Sequence, residues 1–377
     1  MEFLSTLNKN ISNLPGWRTK ERLVVFESDD WGSIRMPSVE AFEKLVKSGI
    51  DLNSDEGNRF NRYDSLATGE DLSSLYGVLG SVKDITNRPA VFTPFVLVTN
   101  PDFTKIRDSN LTEFHYEPFT QTLQRYPGCE KSFDLWKDGM SQRLFVPQFH
   151  GREHLNVRAW LKALQRGNKK VLAAFDNNMW GISTAGDPGV GTELQAAFDV
   201  LDKEDLLYQS SVISSGLRLF RELFGYKSLC FVPPNGPFNS SLEAVCYKEG
   251  VRYITTPKIH KEPLPGGRKA IRLHWLGKKS KSGITYLTRN CYFEPSQPGT
   301  DWVGSCLSDI SVAFRWQKPA IISSHRVNYI GAIHPSNRAN GLAQLQNLLK
   351  EIIRKWPDVR FITSAELGEM INGETDV

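Results

Sequence analysis

Residues 23–32 read Leu-Val-Val-Phe-Glu-Ser-Asp-Asp-Trp-Gly, an apolar run that ends in two adjacent carboxylates and a turn. The segment Leu23–Glu27 predicts a buried strand, because short continuous apolar runs are typical of parallel sheets. Asp29 and Asp30 then follow the carboxyl end of that strand, where α/β barrels place their chemistry. Side chains alternate in direction along extended backbone, so one Asp could bind a metal while its neighbour contacts the water. Paired acids also cap helices or face solvent, so this stretch alone does not decide the function.

Two later segments carry histidines in comparable positions. Leu144–Phe149 predicts a strand that leads to His150 and His154, and their spacing of four would place both imidazoles on one side of a helical turn. Pro319–Ser324 predicts a late strand that ends directly before His325. One Asp and two His can bind a divalent metal with room for water, while the second Asp and third His could serve as base and acid. Taken alone, each histidine is more typical of a residue with a structural place than of a metal ligand or catalytic group.

The remainder of the chain alternates strand-like apolar runs with helical patterns. Further strands are predicted at 90–99, 228–232, 251–255 and 359–363, and helices at 38–48, 155–166, 240–249, 341–356 and 365–371. This alternation predicts an α/β protein with parallel strands and outer helices. Chemical residues at strand ends favour a distorted (β/α) barrel over an open doubly wound sheet, since the Gly-rich turn of the latter is absent. Residues 1–377 are assigned to one catalytic domain, with long insertions over the active-site rim at about 51–145 and 167–227.

Composition is that of an ordinary globular protein and argues against several classes. The 377 residues are 40% hydrophobic and 23% charged, and no apolar stretch approaches the roughly 20 residues that cross a bilayer. The first ten residues lack the basic start and apolar core of a secretory signal, so a cytoplasmic location is expected. The five cysteines are scattered without a Cys-x-x-Cys, so we expect neither a disulfide framework nor a cysteine-rich zinc site.

The charge balance gives little indication of a partner. The 46 Lys and Arg residues exceed the 42 Asp and Glu residues by four, which is too mild an excess to indicate nucleic-acid binding. One stretch, from Lys258 to Lys281, is locally basic. A solvated hairpin is the simpler interpretation, and a patch for a phosphate-bearing or anionic glycan carrier is the alternative. We therefore expect no nucleic acid and no stable membrane insertion, and the oligomeric state is open.

The order of these motifs resembles that of the polysaccharide deacetylase family, the NodB-like carbohydrate esterase family 4. Its first motif is an apolar strand that ends in two Asp, which Asp29-Asp30 match, and its second is a histidine pair at the spacing of His150 and His154. The last motif is a strand that ends in a catalytic His, which His325 matches. The third motif, approximately Arg-Pro-Pro-Tyr-Gly, is matched in part by Val232–Gly236.

The resemblance implies a function and a set of roles. It implies a metal-dependent hydrolase that removes an N- or O-linked acetyl group from a sugar or polysaccharide precursor, with an acetylated carbohydrate as its partner. One divalent ion is implied, with zinc the first expectation and cobalt, nickel, iron or manganese left open. The implied metal ligands are Asp30, His150 and His154, the implied base and acid are Asp29 and His325, and the substrate-binding residues are Trp31, Asn235 and Arg326. The attacked carbonyl oxygen would be held partly by a backbone N–H near Asn235.

The chain departs from the family pattern where the third motif places an Arg that orients the base. Val232 occupies that position, and Arg326 or Arg35 could substitute for the missing guanidinium. Two alternatives therefore stay open beside the deacetylase. One is a catalytically inactive glycan-binding protein on the same fold, and the other is a metal-dependent amidase with a non-sugar substrate.

Overall fold

The computed structural model describes residues 9–53, 58–184, 187 and 189–374. The strands are β1 Leu23–Trp31, β2 Phe92–Leu97, β3 Thr99–Pro101, β4 Tyr116–Pro118, β5 Gln148–Gly151, β6 Cys230–Phe231, β7 Tyr253–Thr255, β8 Ile259–Leu264, β9 Arg268–Leu273, β10 Thr285–Leu287, β11 Cys291–Tyr292, β12 Ala320–His325 and β13 Arg360–Phe361. The α-helices are α1 Val39–Lys47, α2 Asn58–Tyr63, α3 Gly69–Gly80, α4 Phe103–Asp108, α5 Phe119–Leu123, α6 Ser132–Ser141, α7 Val157–Gln165, α8 Lys169–Asp176, α9 Lys203–Phe224, α10 Glu243–Glu249, α11 Trp302–Arg315, α12 Pro335–Lys355 and α13 Ser364–Asn372.

One parallel sheet organises the molecule. Its strand order is β10-β7-β6-β5-β2-β1-β12-β11, with β13 also paired to β1, and every pairing is parallel. Within the described ranges β10 and β11 do not pair with each other, so the sheet curls into an incomplete barrel. The α/β class and the distorted (β/α) barrel predicted from the sequence are both confirmed.

The central strand β1 is apolar throughout because both of its faces are covered. Val24 and Phe26 pack into the large core under the outer helices, whereas Leu23 and Val25 point into a second apolar cluster on the other face. All four side chains are at most 1% exposed. Burial on both faces produces the continuous hydrophobic run that marked this strand in the sequence.

The two predicted insertions are wrong in part. The range 51–145 contains β2, which lies in the middle of the sheet between β1 and β5. The range 167–227 contains the 22-residue helix α9, which packs against β5 as an ordinary barrel helix. The sequence predicted the strand itself at 90–99, but not its central place in the sheet. Both ranges nevertheless contribute to the cavity described below, the first through Arg59 and Phe60 on α2 and the second through Gln195.

Helix boundaries were predicted well where a capping residue marks them. Ser38 caps α1 as expected, with its hydroxyl accepting a hydrogen bond from the N–H of Ala41. Helix α12 begins at Pro335 rather than at Gly341. Gly341 is an interior residue, and a Cβ there would lie 1.7 Å from the carbonyl oxygen of Asn328. The glycine therefore permits close packing rather than marking an end. No helix in the described part of the chain is long and apolar enough to span a membrane.

Candidate active site

The backbone at Asp30 turns two neighbouring carboxylates toward one cavity. Asp30 adopts the left-handed conformation, with φ at +73°, and the pairing of β1 with β2 shifts between Ser28 and Trp31. Regular alternation would send Asp29 and Asp30 to opposite faces of the sheet, yet both line the same cavity. This conformation costs a non-glycine residue roughly 1–2 kcal/mol, and Asp and Asn tolerate it best. Strain of this kind is concentrated at functional positions.

The histidine pair is brought together by a strand end and a loop. His150 is the third residue of β5, and His154 follows in the loop beyond Gly151, whose φ is +142°. The predicted helical turn is therefore wrong, because α7 begins only after this loop. The loop folds back and is anchored where Thr99 Oγ1 donates to the carbonyl of Arg152 over 2.9 Å. Both rings then face Asp30.

The donor atoms of the three predicted metal ligands lie close together. Asp30 Oδ1 lies 3.3 Å from His150 Nε2 and 3.2 Å from His154 Nε2, and the three ligand atoms lie within 4.8 Å of one another. His150 Nδ1 donates to the carbonyl of Val232 over 2.7 Å, so its proton is on Nδ1 and its Nε2 lone pair faces Asp30. The backbone of Val232 therefore orients His150, a predicted metal ligand, although the Val232 side chain cannot replace the missing arginine.

The chemistry of this donor set fits a divalent cation. A carboxylate oxygen and an imidazole lone pair repel each other unless a proton or a cation lies between them. Burial raises the pKa of Asp30, but the neighbouring imidazoles of His150 and His154 outweigh it and hold that pKa well below its usual range, so the carboxylate is charged. The His154 ring stacks on Trp180 at 5.6 Å between centroids, which fixes its plane. Two imidazoles and one carboxylate suit zinc and several other divalent ions and leave further positions open.

Asp29 is held by an arginine from a distant part of the chain. Arg289 donates from Nη1 and Nη2 to the two oxygens of Asp29, each over 2.6 Å. Its Nε donates over 2.6 Å to Glu27, which is fully buried two residues earlier on β1. Burial would raise the pKa of Asp29, but the Arg289 charge outweighs it and keeps that pKa below its usual value. Arg289 thus orients Asp29 in place of the arginine expected at Val232.

His325 carries a second buried network on the opposite side of the cavity. Its Nδ1 lies 2.5 Å from Glu294 Oε1, and its Nε2 lies 3.9 Å from Asp29 Oδ2. Burial lowers the pKa of His325, but Glu294 and the charges of Asp30 and Asp29 reverse this and raise the pKa to about 9. The imidazole is therefore protonated at neutral pH, with its Nε2–H directed into the cavity.

Glu294 is fixed by two further partners. Arg59 Nη1 donates to its second oxygen over 2.6 Å, and Asn328 Nδ2 donates to the same oxygen over 2.8 Å. The charge of His325 lowers the pKa of Glu294 despite its burial, so the carboxylate is ionised. The pair His325–Glu294 is thereby held in a single geometry.

One cavity of about 610 Å³ is lined by the charged groups Asp29, Asp30, His150, His154, Arg289 and His325. Its lining also includes Arg35, Arg59, Phe60, Gln195, Ser12, Asn13, Lys258 and Tyr292. A cavity of this size accommodates a ligand much larger than an acetyl group. Tyr292 lines the cavity and is 53% exposed, so its ring is accessible to a ligand.

The predicted substrate-binding residues divide into one that reaches the cavity and two that do not. Asn235 lines the cavity, with its backbone in the left-handed region at φ +54°. Trp31 is 1% exposed and packs edge-on against Phe145, so its predicted place at the ligand is wrong. The bulge at Asp30 causes this, because once both carboxylates face the cavity the next side chain points into the core.

Arg326 is likewise absent from the cavity. It is 0% exposed, and its Nε donates over 3.0 Å to Asp64 while its Nη1 donates over 2.7 Å to the carbonyl of Ser33. Its guanidinium connects two loops beneath the site. The predicted contact of Arg326 with substrate is therefore wrong. Arg35, the other suggested substitute for the motif arginine, lines the cavity and donates to Gln195, while Arg289 donates to Asp29.

The sequence analysis assigned no role to Glu294, Arg59 or Arg289. One signal for Glu294 was present, since it follows the apolar segment 291–293 just beyond β11, as the other site residues follow their strands. Arg289 likewise lies between β10 and β11. Arg59 lies on α2, inside a range interpreted as an insertion, and carries no local signature.

The amino-terminal segment forms part of the cavity wall. Ser12 and Asn13 line the cavity. Lys318, which is 2% exposed, donates to the carbonyls of Pro15, Gly16 and Trp17 over 2.6–2.8 Å. These bonds fix the segment against the barrel.

Neither a protein-family model nor a curated protein matches the chain. Solved structures do share its architecture over most of its length. A protein from Pseudomonas aeruginosa PAO1 described as a probable polysaccharide deacetylase is 10% identical, with 94% of this chain and 92% of that chain covered and a TM-score of 0.49. The PuuE allantoinase is 12% identical, with 96% of both chains covered and a TM-score of 0.48.

A third similar structure has a different activity. The 4-alpha-glucanotransferase from Thermococcus litoralis is 9% identical, with 92% of this chain and 40% of that chain covered and a TM-score of 0.46. Likeness at these identities concerns the course of the chain and does not choose among a deacetylase, an allantoinase and a glucanotransferase. The chain is similar, at low sequence identity, to structures that include polysaccharide deacetylases, the family that its motifs resemble.

Proposed function

We propose that this protein is a metal-dependent hydrolase that removes an acetyl group from a sugar or a polysaccharide precursor. One observation carries the proposal: Asp30, His150 and His154 converge at the wall of a cavity that also receives Asp29 and the protonated His325. A cation site flanked by an ionised carboxylate and an imidazolium supplies a base and an acid for the hydrolysis of an amide or ester.

Asp30, His150 and His154 would hold one divalent ion, with zinc the first candidate. When bound, such an ion supplies Lewis-acid polarisation and makes water acidic enough to attack near neutral pH. The three side chains are preorganised for this task, since the Val232 carbonyl fixes the His150 tautomer and Trp180 fixes the plane of His154.

Asp29 would act as the general base. Arg289 keeps it ionised and fixes both of its oxygens, so it can accept a proton from the attacking water without changing rotamer. Removal of a general base or acid typically lowers the rate by about 10²–10⁴-fold. The same arginine balances the negative charge that two adjacent carboxylates would otherwise accumulate in a buried site.

His325 would act as the general acid. Water adds to the acetyl carbonyl carbon, the bond from that carbon to the sugar nitrogen or oxygen breaks, and His325 Nε2 delivers a proton to the departing atom. Acetate and the free amine or hydroxyl are the products. The raised pKa of about 9 keeps His325 protonated for this step at neutral pH. A backbone N–H near Asn235 is our candidate to hold the carbonyl oxygen as it gains charge.

The size and aromatic rim of the cavity support a sugar as the acetylated group. Tyr292 offers an exposed ring at the mouth, and Asn235, Gln195 and Asn13 offer amide groups for hydroxyls. A flat aromatic face with several neutral polar groups is the usual composition of a small-molecule site of this kind.

The inactive alternative loses its main motivation. It was favoured by the missing third-motif arginine, and Arg289 supplies a two-point ion pair to Asp29 from another strand end. An amidase with a non-sugar substrate would use the same residues, and only the substrate distinguishes it. Within the described residues no second cluster of three metal-binding side chains accompanies the first, which argues against a two-metal phosphoesterase.

Acetate release from acetylated sugars by the metal-loaded protein tests the proposal. We expect release by the wild type, a loss of about 10²–10⁴-fold in Asp29→Asn and His325→Ala, and loss of both bound metal and activity in His150→Ala. His274→Ala is a matched control, since His274 is buried outside the cavity. Unchanged acetate release in His150→Ala, or no release from any sugar by protein with one metal per chain, would refute the proposal.

A further inference from the structure

The basic stretch between Lys258 and Lys281 forms an antiparallel hairpin with two unlike faces. Strands β8 and β9 pair so that Ile259 lies opposite Leu273 and Lys261 lies opposite Ile271. Directly opposed residues in such a pair share a face. We call this face the outer face and define it by Ile259, Lys261, Lys269, Ile271 and Leu273.

The opposite face of the hairpin anchors it to the barrel. His260 and Glu262 are 7% and 2% exposed, and Glu262 accepts hydrogen bonds from the backbone and hydroxyl of Ser240. Arg272 pairs with the same carboxylate over 2.5 Å. The backbone N–H of Gly266, at the turn, donates to the carbonyl of Leu201 over 2.9 Å. The hairpin is therefore fixed, and its outer face is a rigid surface.

The outer face exposes large aliphatic side chains side by side. Ile259, Ile271 and Leu273 are 65%, 60% and 57% exposed. Trp275, two residues beyond β9, is 38% exposed, and the ammonium of Lys278 lies 4.8 Å from its ring centroid. Single exposed aliphatic residues are normal, but a contiguous group is uncommon on a surface that faces only water.

Every exposed charge on this hairpin is positive. The basic residues from 258 to 281 are Lys258, Lys261, Arg268, Lys269, Arg272, Lys278, Lys279 and Lys281. The sole acidic residue in that range is Glu262, which is buried and already paired with Arg272. This stretch thus presents aliphatic side chains and an indole among lysines, without an exposed carboxylate of its own. The exposed carboxylates that follow Leu201, at Asp202 and Glu204, are paired with Arg158.

We propose that the outer face is a docking surface for an anionic lipid bilayer. Aliphatic side chains and an indole enter the headgroup region while lysines contact anionic headgroups, and the two contributions reinforce each other. An acidic protein would satisfy the charges but gives no reason for three aliphatic side chains without a carboxylate among them. Binding of this kind is peripheral, which agrees with the lack of a membrane-spanning helix in the described residues.

The hairpin adjoins the mouth of the active-site cavity. Thr255, Thr256, Pro257 and Lys258 line the cavity, and β8 begins at the next residue. A protein docked through the outer face would therefore hold the cavity near the lipid headgroups. If the proposed function holds, this placement favours a glycan attached to a lipid. The docking surface itself does not depend on that reaction.

Flotation with lipid vesicles tests the docking surface. We expect the full chain to float with vesicles of phosphatidylcholine and phosphatidylglycerol at low salt, and to remain behind with phosphatidylcholine alone. Ile259→Ser/Ile271→Ser/Leu273→Ser and, separately, Lys261→Gln/Lys269→Gln should each lower binding by roughly tenfold or more, since one basic residue near an anionic surface contributes about 1 kcal/mol. High salt should weaken the wild type and affect the lysine variant less.

Matched variants elsewhere on the surface control for loss of exposed groups. Ile85→Ser/Leu207→Ser removes aliphatic side chains that are 61% and 76% exposed, and Lys20→Gln/Lys350→Gln removes exposed charges; both should bind as the wild type does. Asp30→Asn should also bind vesicles, which separates docking from catalysis. The proposal would be overturned if the hairpin variants bound anionic vesicles as tightly as the wild type does, or if the wild type did not bind them. If the wild type were an oligomer that did not bind vesicles, and the apolar triple variant were a monomer, the outer face would be assigned to a second copy of the chain instead.

Discussion

Replacing Glu294 with Gln should move the alkaline limit of activity toward neutral pH. Glu294 is the principal group that raises the pKa of His325 to about 9, working against burial. A general acid is active while protonated, so wild-type activity should persist up to about pH 9 and fall above it. Gln keeps the shape of the side chain and can still accept from Asn328, but it removes the charge that stabilises the imidazolium.

The size of the effect follows from the two protonation equilibria. With a pKa of about 9, about 97% of His325 is protonated at pH 7.5, whereas with the ordinary histidine pKa of about 6.5 only about 9% is. Burial without the compensating carboxylate lowers the pKa further. We therefore expect kcat/KM at pH 7.5 to fall by roughly tenfold or more, and the alkaline limb to move down by at least about two pH units.

The assay is acetate release across a pH series. Wild type and Glu294→Gln are loaded with the same metal, so that the metal affects both pH profiles in the same way. Glu243→Gln is a matched control, because Glu243 is a buried glutamate outside the cavity that accepts a hydrogen bond from Tyr286. Its profile should match the wild type. A Glu294→Gln protein that folds normally and keeps the wild-type alkaline limb would refute the assignment of His325 as an acid tuned by Glu294.

Three further changes test other parts of the structure. Arg289→Ala leaves Asp29 and Glu27 buried without their cation, so urea denaturation should show a loss of about 3–5 kcal/mol in unfolding free energy, and a loss below about 1 kcal/mol would contradict the buried ion-pair network. Trp31→Ala should likewise destabilise the fold by about 3–5 kcal/mol while leaving the KM of the remaining folded protein near wild type, since the ring lies in the core. Tyr292→Ala should do the reverse, raising KM for a sugar with little change in the midpoint of thermal unfolding, and an unchanged KM would remove Tyr292 from the proposed site.

The residues that sequence analysis brought to the site share one property: each of them follows or ends a strand. Asp29, Asp30, His150 and His325 lie at the carboxyl ends of β1, β5 and β12. In the sheet β12 neighbours β1, and β2 separates β1 from β5. Parallel strands align these ends along one rim, so position on a strand was enough to predict proximity. The catalytic roles assigned to these residues stay predictions until they are measured.

What the sequence could not reveal depends on local geometry and on long-range pairing. The left-handed turn at Asp30 reverses the alternation of side chains, and the residue types around it do not predict this turn. Trp31 was therefore expected in the cavity, whereas it lies in the core. Arg289 pairs with Asp29, which lies 260 positions away along the chain, and Glu294 pairs with His325, which lies 31 positions away. A single sequence carries no record of such pairings. The boundaries of the insertions failed for a related reason, because β2 is recognised as central only from its neighbours.

The left-handed backbone at Asp30 gives this position two opposing demands, one from folding and one from ligand chemistry. Glycine would remove backbone strain there of up to about 1 kcal/mol, but it would also delete the carboxylate. A β-branched residue would increase the backbone strain and delete the carboxylate as well. In a complete mutational scan, position 30 should therefore separate abundance from turnover: glycine and asparagine variants would accumulate in cells as inert protein, whereas valine and isoleucine variants would be cleared. Selection for stability alone at position 30 would therefore remove a carboxylate that the proposed metal site needs.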